Sequence, residues 1–350
     1  MRKLHLAYIA GFLILVGLLC FFVYFIYSRS SSSTVKVQDG VQYLKIEQNS
    51  SIPPFFEKDT PYQIFPSPIP GQMVDFPSVF NDINNSSNYL VDISIVISVS
   101  PKWGNFEAIP LINEIFEYFA NRPNLSYEVL IVDNHFKSKG IYEFAESHQN
   151  IRILTLQRSH YLDTSRLIGA CHSRGRLIFM YAPHEGVPFS EFEKFHQKAK
   201  SAEKYGQNFI VLGGWKKRED EESIFRTNLS LFCDFLNNIL SSFVASLKED
   251  GYSRCRSYLF SRSAAKLIFS NIHVAGSTVD GDAVVIADQA GDVTIKVAKL
   301  DVENGKVAQK PTLKKLDALL MFAVSLILRS LGIWKLKKSK GNGEAGGSLL

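Results

Sequence analysis

The sequence predicts an α/β fold in which a mostly parallel sheet is flanked by helices. Three observations lead there. Two apolar runs, Tyr127-Glu128-Val129-Leu130-Ile131-Val132-Asp133 and Arg176-Leu177-Ile178-Phe179-Met180-Tyr181, read as buried strands. Each ends in polar turn chemistry, the first at Asp133 itself and the second in Ala182-Pro183-His184-Glu185-Gly186. Strand-like and helix-like patterns alternate around both runs, at intervals that suit right-handed crossovers. An acid at the carboxyl edge of a buried strand is well placed to read a ligand, because the crevices of such sheets open there.

Taken in order, 93–99 reads as a strand of Ile and Val, and 109–120 has helical spacing of its apolar residues. The strand 127–133 is followed by helix 139–148, strand 151–156, helix 164–173 and strand 177–181. In the second half, 189–204 reads as helix, 209–213 as strand and 228–247 as a long apolar helix. A short strand at 257–260, a helix at 263–270 and an edge strand at 293–297 complete the domain, placed at 90–305. No internal repeat interrupts this order.

The 350 residues, 46% apolar and 21% charged, give ample material for a core. Residues 1–5 form a short tail before an uncharged apolar stretch at 6–27, flanked by Arg2, Lys3 and Arg29 and long enough to span a bilayer as a retained anchor. A cleaved signal peptide is the rival reading, although its apolar region would run only about 7–15 residues. Residues 28–89, with a serine run and Pro53, Pro54, Pro61, Pro66, Pro68 and Pro70, read as a stem. Arg2 and Lys3 favour a lumenal body, a count nearly evened by Lys36 and Lys45. Sequons at Asn49, Asn84, Asn85, Asn124 and Asn228 would be glycosylated only on the lumenal side, and topology stays open.

Residues 312–338 pair an apolar stretch with basic flanks, which suits a juxtamembrane helix on anionic headgroups. A second span and a helix packed on the core are the alternatives. The net charge of +5 owes much to this tail and argues for a membrane surface, not for nucleic acid. Residues 339–350 are Gly-rich and read as a flexible tail. Cys20, Cys171, Cys233 and Cys255 have no metal-binding spacing and indicate no disulfide framework.

From Asp92 to Trp334 the chain resembles the dolichyl-phosphate beta-glucosyltransferases, inverting nucleotide-sugar transferases with the GT-A fold. The run from Tyr127 to Asp133 looks like that family's uracil-reading strand. Ile151 to Leu156, Ser173-Arg174-Gly175 and Ile178 to Met180 look like the elements leading to its metal motif. Phe225-Arg226-Thr227, Cys255, Leu259-Phe260-Ser261-Arg262 and Ala264-Ala265 match its acceptor side, and Arg329 and Trp334 fall where similar residues close the juxtamembrane helix. The resemblance implies a membrane-anchored enzyme of the endoplasmic reticulum. It would move glucose from UDP-glucose to dolichyl phosphate with a divalent cation, manganese or magnesium, and supply protein N-glycosylation.

The catalytic motifs depart from the family's pattern. Ser98-Val99-Ser100-Pro101-Lys102-Trp103 stands for Pro-Ser-Tyr-Asn-Glu-Glu, and Asp133-Asn134-His135-Phe136 for Asp-Asp-Gly-Ser. Arg158-Ser159-His160-Tyr161-Leu162-Asp163 stands for Lys-Asn-Arg-Gly-Lys-Gly near the donor. The metal motif Asp-Ala-Asp-Gly is replaced by Ala182-Pro183-His184-Glu185, leaving His184 and Glu185 as candidate ligands for a divalent ion. Gly251-Tyr252-Ser253-Arg254-Cys255-Arg256-Ser257-Tyr258 stands for Arg-Asp-Thr-Gln-Cys-Gly-Phe-Lys on the acceptor side.

The resemblance therefore implies Asp133 and Arg158 as nucleotide-sugar contacts. Arg254 and Arg256 become a clamp for the acceptor phosphate, a task suited to bidentate guanidinium. In Val279-Asp280-Gly281-Asp282, Asp280 takes the acidic position near acceptor or leaving group with Asp282 beside it, the alternative being a Gly-containing turn. A non-catalytic descendant that keeps the scaffold for binding or regulation is the second functional reading. A lumenal transferase with another sugar or acceptor is the third.

Overall fold

A computed structural model of the protein describes residues 41–43, 62–66, 73–77, 91–99, 105–134, 139–156, 162–183, 186–216, 252–269, 271–272, 279–303 and scattered positions between 323 and 336. The strands are β1 (Val41–Tyr43), β2 (Tyr62–Pro66), β3 (Met73–Pro77), β4 (Val91–Val99), β5 (Tyr127–Asp133), β6 (Ile151–Leu156), β7 (Gly175–Tyr181), β8 (Phe209–Lys216), β9 (Tyr252–Ser261) and β10 (Thr294–Glu303). The helices are α1 (Asn105–Ala120), α2 (Lys139–Glu146), α3 (Leu162–Cys171), α4 (Phe192–Glu203), α5 (Arg262–Phe269) and α6 (Val279–Ala290). One sheet has the order β1-β6-β5-β4-β7-β9-β8-β10, and β2 and β3 form a separate antiparallel pair.

The sheet is mixed. Strands β6, β5, β4 and β7 run parallel, as the alternating pattern predicts. Strand β9 then enters antiparallel between β7 and β8, and β10 pairs parallel with β8. The expected short strand at 257–260 is the inner part of the longer β9, and the edge strand at 293–297 runs on to Glu303. The segment carrying Asp280 and Asp282 is the first turn of α6 and not a turn between elements.

The continuous apolar runs have a simple cause. Successive strand residues point to opposite faces, and both faces are covered. On one face Ile93, Ile95, Val129, Ile131 and Phe179 meet Ile112, Ile115 and Phe119 of α1 and Phe192 and Phe195 of α4. On the other, Val96, Leu130, Val132, Ile178 and Met180 meet Leu167 and Ile168 of α3, Ile268 of α5 and Val284 and Ile286 of α6. The sheet is thus the middle of three layers.

At the amino edge a buried polar knot fixes the register. Glu128 accepts the Ser94 hydroxyl at 2.5 Å and the Arg174 backbone N–H at 2.7 Å, and pairs with Arg152. Burial alone would raise the Glu128 carboxyl, but the Arg152 charge and these hydrogen bonds outweigh it and hold it below the usual range. Gly175 donates its N–H to Ser94 at 2.7 Å and accepts from Arg262 Nε at 2.8 Å. A Cβ on Gly175 would lie 2.4 Å from the Ser94 backbone nitrogen and 2.6 Å from the Leu177 carbonyl oxygen, with only backbone to yield. Gly175→Ala is therefore expected to cost about 2–3 kcal/mol by urea unfolding, with β4–β7 pairing the first casualty.

Residues 6–27, the expected helix at 228–247 and most of 312–338 lie outside the described residues. Among the described residues no helix is long and apolar enough to cross a membrane. The described part of 312–338 packs on the domain: Ser325 and Leu328 are buried, and Leu326 and Leu336 lie against the core that includes residues of α3, α5 and α6. Arg329 reaches Asp282 there, with Nη2 3.0 Å from one carboxylate oxygen and Nε 3.0 Å from the other.

Candidate functional site

The carboxyl ends of β4, β5 and β7 meet at one edge, and the amino end of α3 comes to the same edge because α3 descends antiparallel to the strands it follows. Asp133 closes β5. Its neighbour Asn134 donates its backbone N–H to the Val99 carbonyl at 3.0 Å, which holds the ends of β4 and β5 together beyond the last ladder pair. The Asp133 side chain is buried and accepts the hydroxyl of Tyr142 from α2, and that hydroxyl also lies 3.1 Å from Thr155 Oγ1. Burial, and then the bond to Asp133, push the Tyr142 phenol up to about 12. It stays a donor throughout the neutral range, so the Asp133 side chain is an acceptor of fixed orientation.

A second cluster lies beside β4 and β7. Ser98 Oγ is 2.5 Å from Ser165 Oγ of α3. Asp163, in the first turn of α3 where a negative charge suits the helix dipole, divides its carboxylate between two arginines. Arg166 Nη2 bonds Oδ1 at 2.6 Å, and Arg256 Nη1 bonds Oδ2 at 3.0 Å. Arg166 also donates to the Arg256 backbone carbonyl, so one buried guanidinium ties α3 to β9. The next residue, Ser257, accepts the Ala182 backbone N–H at 3.1 Å, joining β9 to the end of β7.

The sequence-predicted site residues divide accordingly. Asp133 and Arg256 both stand at this edge, each with a fixed partner. Arg254 lies on β9 opposite Gly214, and Asp280 lies in α6. Arg158, His184 and Glu185 fall outside the described residues. Asp282, expected beside Asp280 in a catalytic pair, is fully buried under Arg329 and Ser325, which assigns it to the interior of the fold and not to an open site. Sequence reasoning passed over Asp163 and Arg166. Their three-residue spacing at a helix start was the available signal.

The described carboxylates at this edge do not fit a divalent cation well. Asp133 is engaged by a phenol and Asp163 by two guanidiniums, whose positive charge opposes a metal ion. Among the described residues no group of three His, Cys, Asp or Glu side chains is arranged to hold one.

This layered sheet with a polar, arginine-bearing carboxyl edge defines an α/β domain covered on both faces. No family model matches the chain. The chain is similar to curated dolichyl-phosphate beta-glucosyltransferases, as its motifs suggest. One from Trichomonas vaginalis is 26% identical over 288 residues, covering 79% of this chain and 81% of the relative. The Homo sapiens protein of that name is 24% identical over 288 residues, covering 77% and 84%. Among solved structures, glucosyl-3-phosphoglycerate synthase from Mycobacterium tuberculosis in complex with UDP aligns with a TM-score of 0.43 at 13% identity, covering 71% of this chain and 82% of that one. The same synthase has also been crystallised with Mn2+ and UDP-glucose, with a TM-score of 0.41 at 14% identity and coverage of 71% and 81%.

Proposed function

We propose that this chain is a membrane-anchored GT-A glycosyltransferase that binds a UDP-sugar and transfers the sugar to a lipid phosphate, with glucose and dolichyl phosphate as the sugar and acceptor its relatives' name points to. The observation that carries the reading is Asp133: a buried carboxylate at the carboxyl end of a central strand, oriented by Tyr142 and next to the end of β4. Such a group is suited to accept the imide N–H of a uracil. The similarity to dolichyl-phosphate beta-glucosyltransferases over 79% of the chain supports the choice of sugar and acceptor. The apolar stretch at 6–27 is long enough to anchor the domain at a membrane, where a soluble donor meets a lipid acceptor, and the endoplasmic reticulum is the membrane the resemblance implies. A phosphate acceptor is already ionised and needs little general base, so positioning and charge neutralisation carry most of the catalytic demand.

The test is calorimetry with UDP, followed by transfer of labelled glucose from UDP-glucose to dolichyl phosphate. Asp133→Ala is expected to weaken UDP binding about 10–100-fold, the scale of one charge-assisted hydrogen bond. Unchanged affinity in that variant would remove Asp133 from the donor site. The engaged state of both edge carboxylates favours one second reading, a non-catalytic relative that binds a nucleotide or partner without turnover. UDP binding with no glucosyl lipid formed would decide for it. Sensitivity of the expressed protein to an N-glycosidase reports which side of the membrane the domain occupies, since only a lumenal body acquires N-glycans.

A further inference from the structure

We infer that Tyr142 is a positioning residue that sets base specificity: with Thr155 it fixes the Asp133 side chain as a hydrogen-bond acceptor, so that this edge selects a uracil nucleotide over a cytosine one. The inference rests on the nucleotide-sugar reading above and deepens it, because it names the residues that choose the base.

The first argument is register. Asp133 and Thr155 are partners in the β5–β6 ladder, so their side chains leave the sheet on the same face, side by side. Helix α2 is the crossover between these two strands and covers that face, held down by the buried Ile141 and Ala145. Tyr142 follows Ile141; its ring packs against the same core and its hydroxyl reaches both strand positions. One hydroxyl thus bridges the last residue of β5 and its neighbour on β6.

The second argument is direction. A phenol has one proton to give. Tyr142 gives it to Asp133, so toward Thr155 Oγ1, 3.1 Å away, its oxygen can only accept, and the Thr155 hydroxyl is the donor. The chain of bonds therefore runs one way, from Thr155 through Tyr142 to Asp133. The phenol responds with the same signs: the bond to Asp133 raises its pKa and the bond from Thr155 lowers it, as a donor to the oxygen should. Successive bonds of one sense polarise each other, which strengthens the last of them on the carboxyl group.

The third argument is that packing alone does not call for the hydroxyl. Phe116 and Phe144 cover neighbouring parts of the same core with plain rings. Burial is the largest influence on the Tyr142 phenol, and a hydroxyl withdrawn from water is unfavourable unless it is bonded. Its bonds here converge on a strand-end acid, at the edge where the crevices of such sheets open.

The consequence for a ligand is chemical. Uracil carries a hydrogen on ring N3, whereas cytosine has a lone pair there and its donor on the neighbouring exocyclic amine. A mobile carboxyl group could swing from one to the other. Pinned by Tyr142, it keeps one direction of acceptance, and a lone pair set against it is repelled and left unpaired.

The experiment is calorimetry on the full chain in detergent, with UDP and with CDP, each in EDTA and in manganese. The unaltered chain is expected to prefer UDP at least about 10-fold. Tyr142→Phe, which keeps the ring and removes the donor, is expected to weaken UDP about 3–10-fold and CDP less than about 2-fold, so that the preference narrows. Thr155→Val removes the far donor and should narrow it in the same sense by a smaller factor. Thermal unfolding of each variant separates lost binding from lost fold, and Thr155→Val serves if Tyr142→Phe does not fold. A merely structural phenol would weaken both nucleotides by the same factor; that result, or a preference that both variants leave unchanged, overturns the inference. Equal affinity of the unaltered chain for UDP and CDP also overturns it while leaving the nucleotide reading in place. No binding of either nucleotide, with or without manganese, removes the nucleotide reading itself and this inference with it.

Discussion

Arg329→Ala is expected to destabilise the domain by about 3–5 kcal/mol, measured as a lower urea midpoint, because it strands a carboxylate in the interior. Asp282 has no solvent exposure, and both of its oxygens are bonded to Arg329, with Ser325 on one of them. Arg329 also donates to the Asn271 carbonyl at 2.7 Å, so its loss unties the end of α5 as well as the start of α6. Truncating one partner leaves the full desolvation penalty on the other, which exceeds anything a surface ion pair contributes. The paired variant Asp282→Leu with Arg329→Met should recover most of the loss, since exchanging a buried ion pair for apolar groups of similar volume is often neutral or better. A double variant as unstable as Arg329→Ala would mean that the pair does more than fill space and cancel charge.

Acid should loosen the domain in two stages. His172 is fully buried; burial first, and then the positive charge of Arg152, push its pKa down to about 3. The folded chain keeps the neutral ring, so as pH falls the unfolded chain takes up the proton first. His172 therefore contributes its whole stabilisation above pH 6.5 and loses it progressively toward pH 3, a total of about 5 kcal/mol at 1.36 kcal/mol per unit. Glu128 acts lower. Its folded pKa lies below 4.5, so its contribution is complete above that pH and is lost as pH falls through the depressed value. His172→Gln should flatten the dependence of unfolding free energy on pH between 6.5 and 5. A slope there that survives the substitution would assign it to another group, such as the buried His196, whose pKa is also lowered by burial.

Most of the sheet was legible because its central strands are apolar on both faces and end in turn residues. What stayed hidden has physical causes. The polar stretch from Tyr252 to Arg256 gives no strand signal, yet it extends β9 through ladder bonds to β8 that depend only on backbone. The start of α6 carries Gly281 between two aspartates, which is turn chemistry; the helix forms because Ala283, Val284, Val285, Ile286 and Ala287 are all buried and tertiary packing overrides propensity. Asp133 was readable as a strand-end acid, a local property of one element. The Asp163–Arg256 pair was not, because its partners come together only once β9 has been inserted beside β7. The same limit applies to Asp282, which reads as a catalytic acid until Arg329 is placed over it.

The insertion of β9 also sets an order of assembly. Strands β4 to β7 are contiguous in sequence and can pair as they emerge from the ribosome, but β8 emerges before the strand that must separate it from β7. Until residues 252–261 arrive, β7 presents an open row of hydrogen-bonding groups to any passing chain. A nascent molecule stalled at that length is expected to be prone to aggregation, and the arrival of one strand both seals that edge and carries Arg256 to its place beside α3.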